Sequence, residues 1–343
     1  DPTHPRYSAA EAARYLDDWK RYYDQLDTYV GELIAAAGPD TNVIIMSDHG
    51  FGRVTHLFYV NNWLLENGYM VLKPGLLHRL KRLSFRLGWT PMNVFKVLTY
   101  LHLAWLRQGF RFGQKYGTAK HVFFSFNDID WSRTRAFSFG NFGQVYLNVK
   151  GRQQQGIVES GDAYAQVVRD ISEGLLRYVD PLTGRPFIER VMTKDEVYSG
   201  PHYADAPDLI ALSKNLEYVS FGTTDFGNNR VTGRIFGMSG YHRMNGILVM
   251  SGPDVQPGQQ VSGAQIVDLA PTILYALGVP APESMDGKVL HEAFKADELI
   301  GLDDHVGLPE RAHEDLRGGT DGAYSEEEEA MVQERLRELG YLA

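Results

Sequence analysis

The chain has 343 residues, of which 43% are hydrophobic and 22% are charged, a composition typical of a globular protein and not of a disordered one. It contains no cysteine, which excludes a disulfide framework, a thiolate metal site and a cysteine nucleophile. The formal net charge of −9 provides no global basic field, so nucleic-acid binding is not expected. Because the chain has no cysteine, any metal ion must be bound by His, Asp or Glu side chains.

Residues 1–66 predict the opening part of an α/β core. Ser8 and Glu11 have the spacing of a capping box, and apolar residues then recur every three to four positions as far as Ile34, which indicates a helix over 8–37. The chain begins with Asp1 and not with Met, and no basic-then-apolar leader is visible. The absence of a leader favours a cytoplasmic location, but a signal peptide upstream of Asp1 stays open as the alternative.

The first candidate functional residues are Asp48 and His49. They follow a short, almost entirely apolar run at 42–46, which is typical of a strand buried on both faces. Ligands of α/β sheets bind at the carboxyl ends of strands, and carboxylate and imidazole groups suit Zn²⁺ or Mn²⁺. The alternative is an ordinary turn in which Asp48 caps a backbone N–H and His49 is incidental.

Residues 67–127 differ from the rest of the chain because they contain ten Lys and Arg residues and no Asp or Glu. The patterns at 76–83 and 94–106 predict two helices, and we interpret 67–127 as a basic helical cap or lid inserted into the core. The favoured role is packing on the core with a solvated basic face. The less favoured alternative is a surface that faces an anionic substrate or an anionic membrane.

Residues 128–294 predict a second part of the α/β core, with a helix from Asp162 and several short strands. Gly240-Tyr241-His242 precedes the apolar run at 246–250, which makes His242 a candidate second metal ligand from a distant part of the chain. Residues 295–343 predict a polar linker and a C-terminal amphipathic helix.

Three motifs together carry a family resemblance. Ser47-Asp48-His49-Gly50-Phe51-Gly52 resembles the metal-binding signature of the type I phosphodiesterase/nucleotide pyrophosphatase family, which belongs to the alkaline phosphatase superfamily. The segments 240–246 (GYHRMNG) and 268–274 (DLAPTIL) follow in the order that the family has. The resemblance implies an α/β three-layer sandwich with a central, largely parallel sheet, helices on both faces and a helical cap insertion.

The resemblance also implies a metal-dependent phosphoric ester hydrolase. Asp48 and His49 would bind one divalent ion and His242 would help to bind a second. The ions would be zinc, with manganese as the alternative, and the substrate a small phosphate ester. Two such ions stabilise in-line phosphoryl transfer. Other activities of the superfamily remain open, namely phosphomonoesterase, sulfatase-like and phosphonate hydrolase activity, as does a non-catalytic binding or scaffold role.

The chain departs from the family pattern at its start. The family's first metal-binding Asp, its Thr or Ser nucleophile and its Asp-x-x-x-His pair have no match, and Asp1-Pro2-Thr3-His4 has the wrong spacing. No catalytic nucleophile is assigned in this chain. We expect that the N-terminal strands are missing, that the remaining ligands lie in the missing N-terminal part of the same protein, and that this chain alone is a poor catalyst.

Overall fold

A computed structural model describes residues 1–103, 123–222, 226–235 and 238–295, and the backbone of 305–306. The described α-helices are α1 (Ala9–Ala37), α2 (Val60–Glu66), α3 (Leu76–Arg86), α4 (Pro91–Tyr100), α5 (Asp162–Arg177), α6 (Lys194–Val197) and α7 (Leu269–Ala276). None of these helices has the length and apolar character needed to cross a membrane.

The described strands are short. They are β1 (Val43–Met46), β2 (Gly50–Arg53), β3 (His56–Tyr59), β4 (Ala136–Ser138), β5 (Gln144–Leu147), β6 (Val179–Asp180), β7 (Arg185–Pro186), β8 (Ile188–Thr193), β9 (Leu209–Ser213), β10 (Tyr218–Phe221), β11 (Thr232–Arg234), β12 (Gly240–Arg243), β13 (Leu248–Ser251), β14 (Ala281–Pro282) and β15 (His305–Val306). The chain divides into two compact units.

The first unit comprises Asp1–Lys20 and His49–Gly246 and contains an antiparallel sheet with the strand order β4-β5-β9-β8. Helix α5 buries Val167, Ile171 and Leu175, which belong to the same hydrophobic cluster as residues of this sheet. These three residues recur every four positions, so they form one face of the helix. The helix predicted from Asp162 is confirmed, and its apolar face belongs to the main core of the unit.

A second sheet of the first unit has the order β10-β3-β11, in which β3 is parallel to β10 and antiparallel to β11. A third element of this unit is the antiparallel pair β2-β12, which joins residues about 190 positions apart in the sequence. A small two-stranded pair, β6-β7, is also antiparallel. The core between these elements includes Phe58, Leu147 and Leu209, each fully or almost fully buried.

The second unit comprises Arg21–Asp48 and Ile247–Ala343. Strands β1 and β13 pair antiparallel, with Val43 opposite Ser251 and Met46 opposite Leu248. A small core of Leu290, Ala293 and Phe294 packs against apolar residues that include Leu269 of α7. The pair β14-β15 is parallel. The C-terminal helix predicted within 295–343 lies outside the described residues.

The predicted central, largely parallel sheet is not confirmed. The largest sheet among the described residues is antiparallel throughout, and the strands form several small sheets. The prediction that β1 is buried on both faces is wrong, because Ile45 and Met46 are exposed. An apolar run fixes the tendency to form a strand, but the neighbours that would bury it are set by distant parts of the chain.

Helix α1 confirms the helix predicted over 8–37, but none of its residues is buried. Its exposed side chains include Trp19, Tyr22 and Leu33. The exposure of α1 does not show whether N-terminal strands are missing, so that expectation stays a prediction.

Helices α3 and α4 confirm that the basic segment contains two helices, but α4 begins at Pro91 and ends at Tyr100, so residues 101–103 of the predicted 94–106 are not helical and 104–106 lie outside the described residues. Phe85 of α3 is buried, with its ring 5.0 Å from that of Phe124 between centroids. His78 Nδ1 lies 2.8 Å from Asp128 Oδ1, and Lys81 Nζ lies 3.2 Å from Asp128 Oδ2. One face of α3 is therefore anchored to the core by an aromatic contact and a buried carboxylate.

Candidate metal centre

The pairing of β2 with β12 brings the two candidate histidines together. His49 immediately precedes β2, and within the ladder His242 of β12 lies opposite Phe51. The centroids of the His49 and His242 rings are 3.9 Å apart, and the ring planes are inclined by 55°. The two histidines predicted as metal ligands are therefore in contact.

Glycines permit this close approach of the two strands. A Cβ atom on Gly50 would lie 2.0 Å from the backbone oxygen of Asn245, and one on Gly240 would lie 2.2 Å from the ring of Phe51. Real Cβ atoms do not approach other heavy atoms so closely. Replacing either glycine by a residue with a side chain would therefore displace the neighbouring atoms. The Gly-rich sequence around His49 is therefore a packing requirement of the histidine pair.

Arg243 holds the strand that carries His242. Its guanidinium donates to the backbone oxygens of Leu216, at 3.0 Å, and of Arg53. Arg53 in turn forms an ion pair with Glu217, with Nη2 and Oε1 2.7 Å apart. Burial lowers the pKa of Arg243, and the nearby Glu217 charge opposes that shift. Sequence reasoning missed this arrangement because an arginine beside a histidine gives no sign of which distant carbonyls it will bind.

Aromatic side chains border the histidine pair. The ring of Phe142 is nearly parallel to that of His242 at 6.1 Å, and the ring of Tyr241 lies 4.5 Å from it. Burial raises the pKa of Tyr241. Both histidines are half-buried, so the imidazoles are reachable from solvent.

Asp48 lies in the turn after β1, and its side chain is exposed. In this turn the amide of Ile247 donates to Ser47 Oγ at 2.9 Å, so the Ser47 hydroxyl has a structural role. Among the residues that the structure describes, no three His, Asp or Glu side chains form a group that could hold a metal ion. The metal ligation predicted for Asp48, His49 and His242 thus stays a prediction.

The N-terminal Asp1-Pro2-Thr3-His4 segment does not resemble a ligand pair in the structure either. The amide of Arg6 donates to His4 Nδ1 at 3.1 Å, so the proton of the neutral ring is on Nε2, which donates to Val54 O at 2.9 Å. Both ring nitrogens of this buried histidine are therefore engaged. Thr3 Oγ1 donates to Asp1 Oδ1 at 2.5 Å and is exposed.

Two other histidines, His56 and His291, pack against aromatic rings. His56 stacks on Tyr218 with centroids 4.6 Å apart, and His291 meets the ring of Tyr275 edge-on. His121 and His313 lie outside the described residues.

The family model for type I phosphodiesterase/nucleotide pyrophosphatase matches residues 8–242, which is more than half of the chain. The chain therefore belongs to the type I phosphodiesterase/nucleotide pyrophosphatase family, which lies in the alkaline phosphatase superfamily. The family implies a phosphodiesterase or nucleotide pyrophosphatase hydrolase. No curated protein and no solved structure gives a significant match. The matched span includes Asp48, His49 and His242 but ends before the third motif at 268–274.

Proposed function

We propose that the protein is a metal-dependent phosphoric ester hydrolase of the phosphodiesterase/nucleotide pyrophosphatase type. The observation that carries this proposal is the contact between the His49 and His242 rings, made by strands that are far apart in the sequence. A fold that needed these strands only for packing would not require two imidazoles at the contact. Family membership supplies the class of reaction.

The donor chemistry fits divalent ions. Half-buried imidazoles are common ligands of Zn²⁺ and also suit Mn²⁺. His49 and His242 would contribute to a site for two ions, zinc first and manganese as the alternative. Asp48, which precedes His49 in the chain, is the proposed carboxylate ligand. When bound, such ions supply Lewis-acid stabilisation of a phosphoryl group.

The residues of the chain itself orient and shield the imidazoles. Arg243 fixes the backbone of β12, and the glycines of β2 and β12 allow the rings to approach each other. The rings of Phe142 and Tyr241 lie beside His242 and provide an apolar border to the pair. We assign no nucleophile, because the family's Thr or Ser nucleophile has no match in this sequence.

The test is hydrolysis of bis(p-nitrophenyl) phosphate by the product of the whole gene, because this chain by itself is expected to be a poor catalyst. We expect chelator-sensitive activity that zinc restores, and we expect His242→Ala and His49→Ala each to lower it by more than about 100-fold, because even the outer partners of metal ligands cost about 10–100-fold. His202→Ala, at an exposed histidine of the same unit, is the matched control. Full activity in His242→Ala would reject the assignment. Faster hydrolysis of p-nitrophenyl phosphate, p-nitrophenyl sulfate or a phosphonate ester would instead assign the protein phosphomonoesterase, sulfatase-like or phosphonate hydrolase activity, respectively.

A non-catalytic binding or scaffold role is the second candidate. It is favoured by one observation, that the described residues contain no complete group of three metal ligands. Zinc titration separates the two roles, because a scaffold that has lost its site would bind no zinc at the histidine pair. Loss of zinc binding in both His→Ala variants would favour the hydrolase.

A further inference from the structure

Helix α3 carries an exposed leucine stripe that the core does not use. Leu76, Leu80, Leu83 and the following residue Leu87 are between 54% and 80% exposed. At 100° per residue these positions fall within an arc of about 60°. Phe85, which packs in the core, lies on the opposite side of the helix.

Basic side chains flank the stripe. Arg79, Arg82 and Arg86 are exposed, and the helical period places Arg79 and Arg86 along one border of the leucines, with Arg82 farther round on the same side. The whole segment 67–127 has ten basic residues and no acidic one, in a chain whose net charge is −9. The segment thus contrasts with the rest of the chain, which carries 24 basic and 43 acidic residues.

Exposed aromatic and apolar residues continue beyond the helix. Trp89 is half exposed in the turn before α4, and Val97, Tyr100 and Leu101 are exposed at the end of α4. Trp and Tyr are favoured at the boundary between lipid headgroups and acyl chains. A helix with leucines on one face, arginines beside them and aromatic residues nearby has the chemistry of a segment that lies in a membrane interface.

We propose that α3 binds the surface of an anionic lipid membrane, with its leucine stripe in the headgroup region and its arginines on lipid phosphates. Charge complementarity selects this occupant. A second copy of the chain would bring two surfaces of the same positive charge together, which costs free energy. A neutral apolar groove of another protein would leave the arginines without partners. The proposal is independent of the hydrolase assignment, because it uses none of the residues of the histidine pair.

The experiment is flotation of the full chain with phosphatidylcholine vesicles and with vesicles that contain phosphatidylglycerol. We expect binding to the anionic vesicles that weakens at high salt, and little binding to the neutral ones. Arg79→Gln with Arg82→Gln should weaken the partition about fivefold for each arginine. Leu80→Gln with Leu83→Gln should weaken it about tenfold for each leucine.

Matched controls separate the stripe from general surface effects. Arg133→Gln with Arg185→Gln and Leu176→Gln with Leu182→Gln change exposed residues of the same kinds in the same unit, and neither pair should alter the partition. Far-ultraviolet circular dichroism and thermal unfolding confirm that each variant is folded. Equal partition into neutral and anionic vesicles would overturn the proposal. So would a leucine-dependent dimer in sedimentation velocity with no binding to vesicles.

Discussion

Substitution of the buried carboxylate Asp208 tests the account of how the first unit is stabilised. Its side chain is fully buried and accepts from the guanidinium of Arg152, with Nη1 and Oδ1 2.9 Å apart. It also accepts from the Tyr164 hydroxyl at 2.8 Å and from the Leu147 amide at 2.6 Å. Burial raises the pKa of Tyr164, and the Asp208 charge adds to that shift. The carboxylate thus joins helix α5, strand β5 and the loop that carries Arg152.

Asp208→Asn keeps the size of the side chain but removes the carboxylate that pairs with Arg152 and, at 3.9 Å, with Lys194. Breaking a buried pair by removing one partner costs about 3–5 kcal/mol. We expect the lower end, about 3 kcal/mol, because the side chain of Arg152 keeps 20% of its exposure to water. The measurement is urea unfolding followed by circular dichroism, with the loss read as a change in the free energy of unfolding.

The control is Glu159→Gln, which breaks the exposed pair between Lys150 and Glu159, whose Nζ and Oε1 atoms are 2.6 Å apart. Exposed pairs contribute little, so no resolvable change is expected. The double variant Arg152→Met with Asp208→Asn should recover part of the loss, because it removes both charges. A loss below about 1 kcal/mol for Asp208→Asn, or one no larger than that of Glu159→Gln, would show that the buried carboxylate does not stabilise the unit in this way.

Three further variants test the core, the histidine pair and the pH dependence. Ile171→Ala removes a fully buried side chain and should cost about 2–5 kcal/mol, whereas Leu176→Ala on the exposed side of the same helix should cost far less. Gly50→Ala forces a backbone contact and should weaken zinc binding, while Gly31→Ala, which meets nothing within 4 Å, should leave it unchanged. Burial lowers the pKa of His56 below its usual 6.5, so the unfolded chain binds more protons below pH 6.5 and stability falls as the pH drops through that range. His56→Gln should reduce that slope in unfolding measurements, and an unchanged slope would reject the assignment.

Helix positions could be predicted because the signal is local. The capping spacing and apolar period at the start of the chain located α1, and the leucine-rich basic run located α3. The same patterns could not say what each apolar face contacts. The residues of α1 are all outside the core, whereas α3 buries only Phe85. Periodicity fixes which residues share a face, but burial depends on segments elsewhere in the chain.

The sheets and the buried ion pairs were harder to predict for the same reason. Each strand of the described sheets has few residues, and its partner and direction are set by contacts across the chain. The partner of Asp208 is 56 positions away, and no spacing pattern connects it to Arg152. His242 was singled out by its position before an apolar run, and the order of the motifs supported that choice, but no local pattern could place its ring against that of His49.

Zinc titration of the metal-free protein by isothermal calorimetry tests directly whether His49 and His242 belong to a metal centre. If His49 and His242 share in one metal centre, His49→Ala and His242→Ala should each lower the zinc stoichiometry or the affinity. His202→Ala should bind zinc as the wild type does. Unchanged zinc binding in both His49→Ala and His242→Ala would show that the histidine pair is not a metal centre, whatever the activity of the protein.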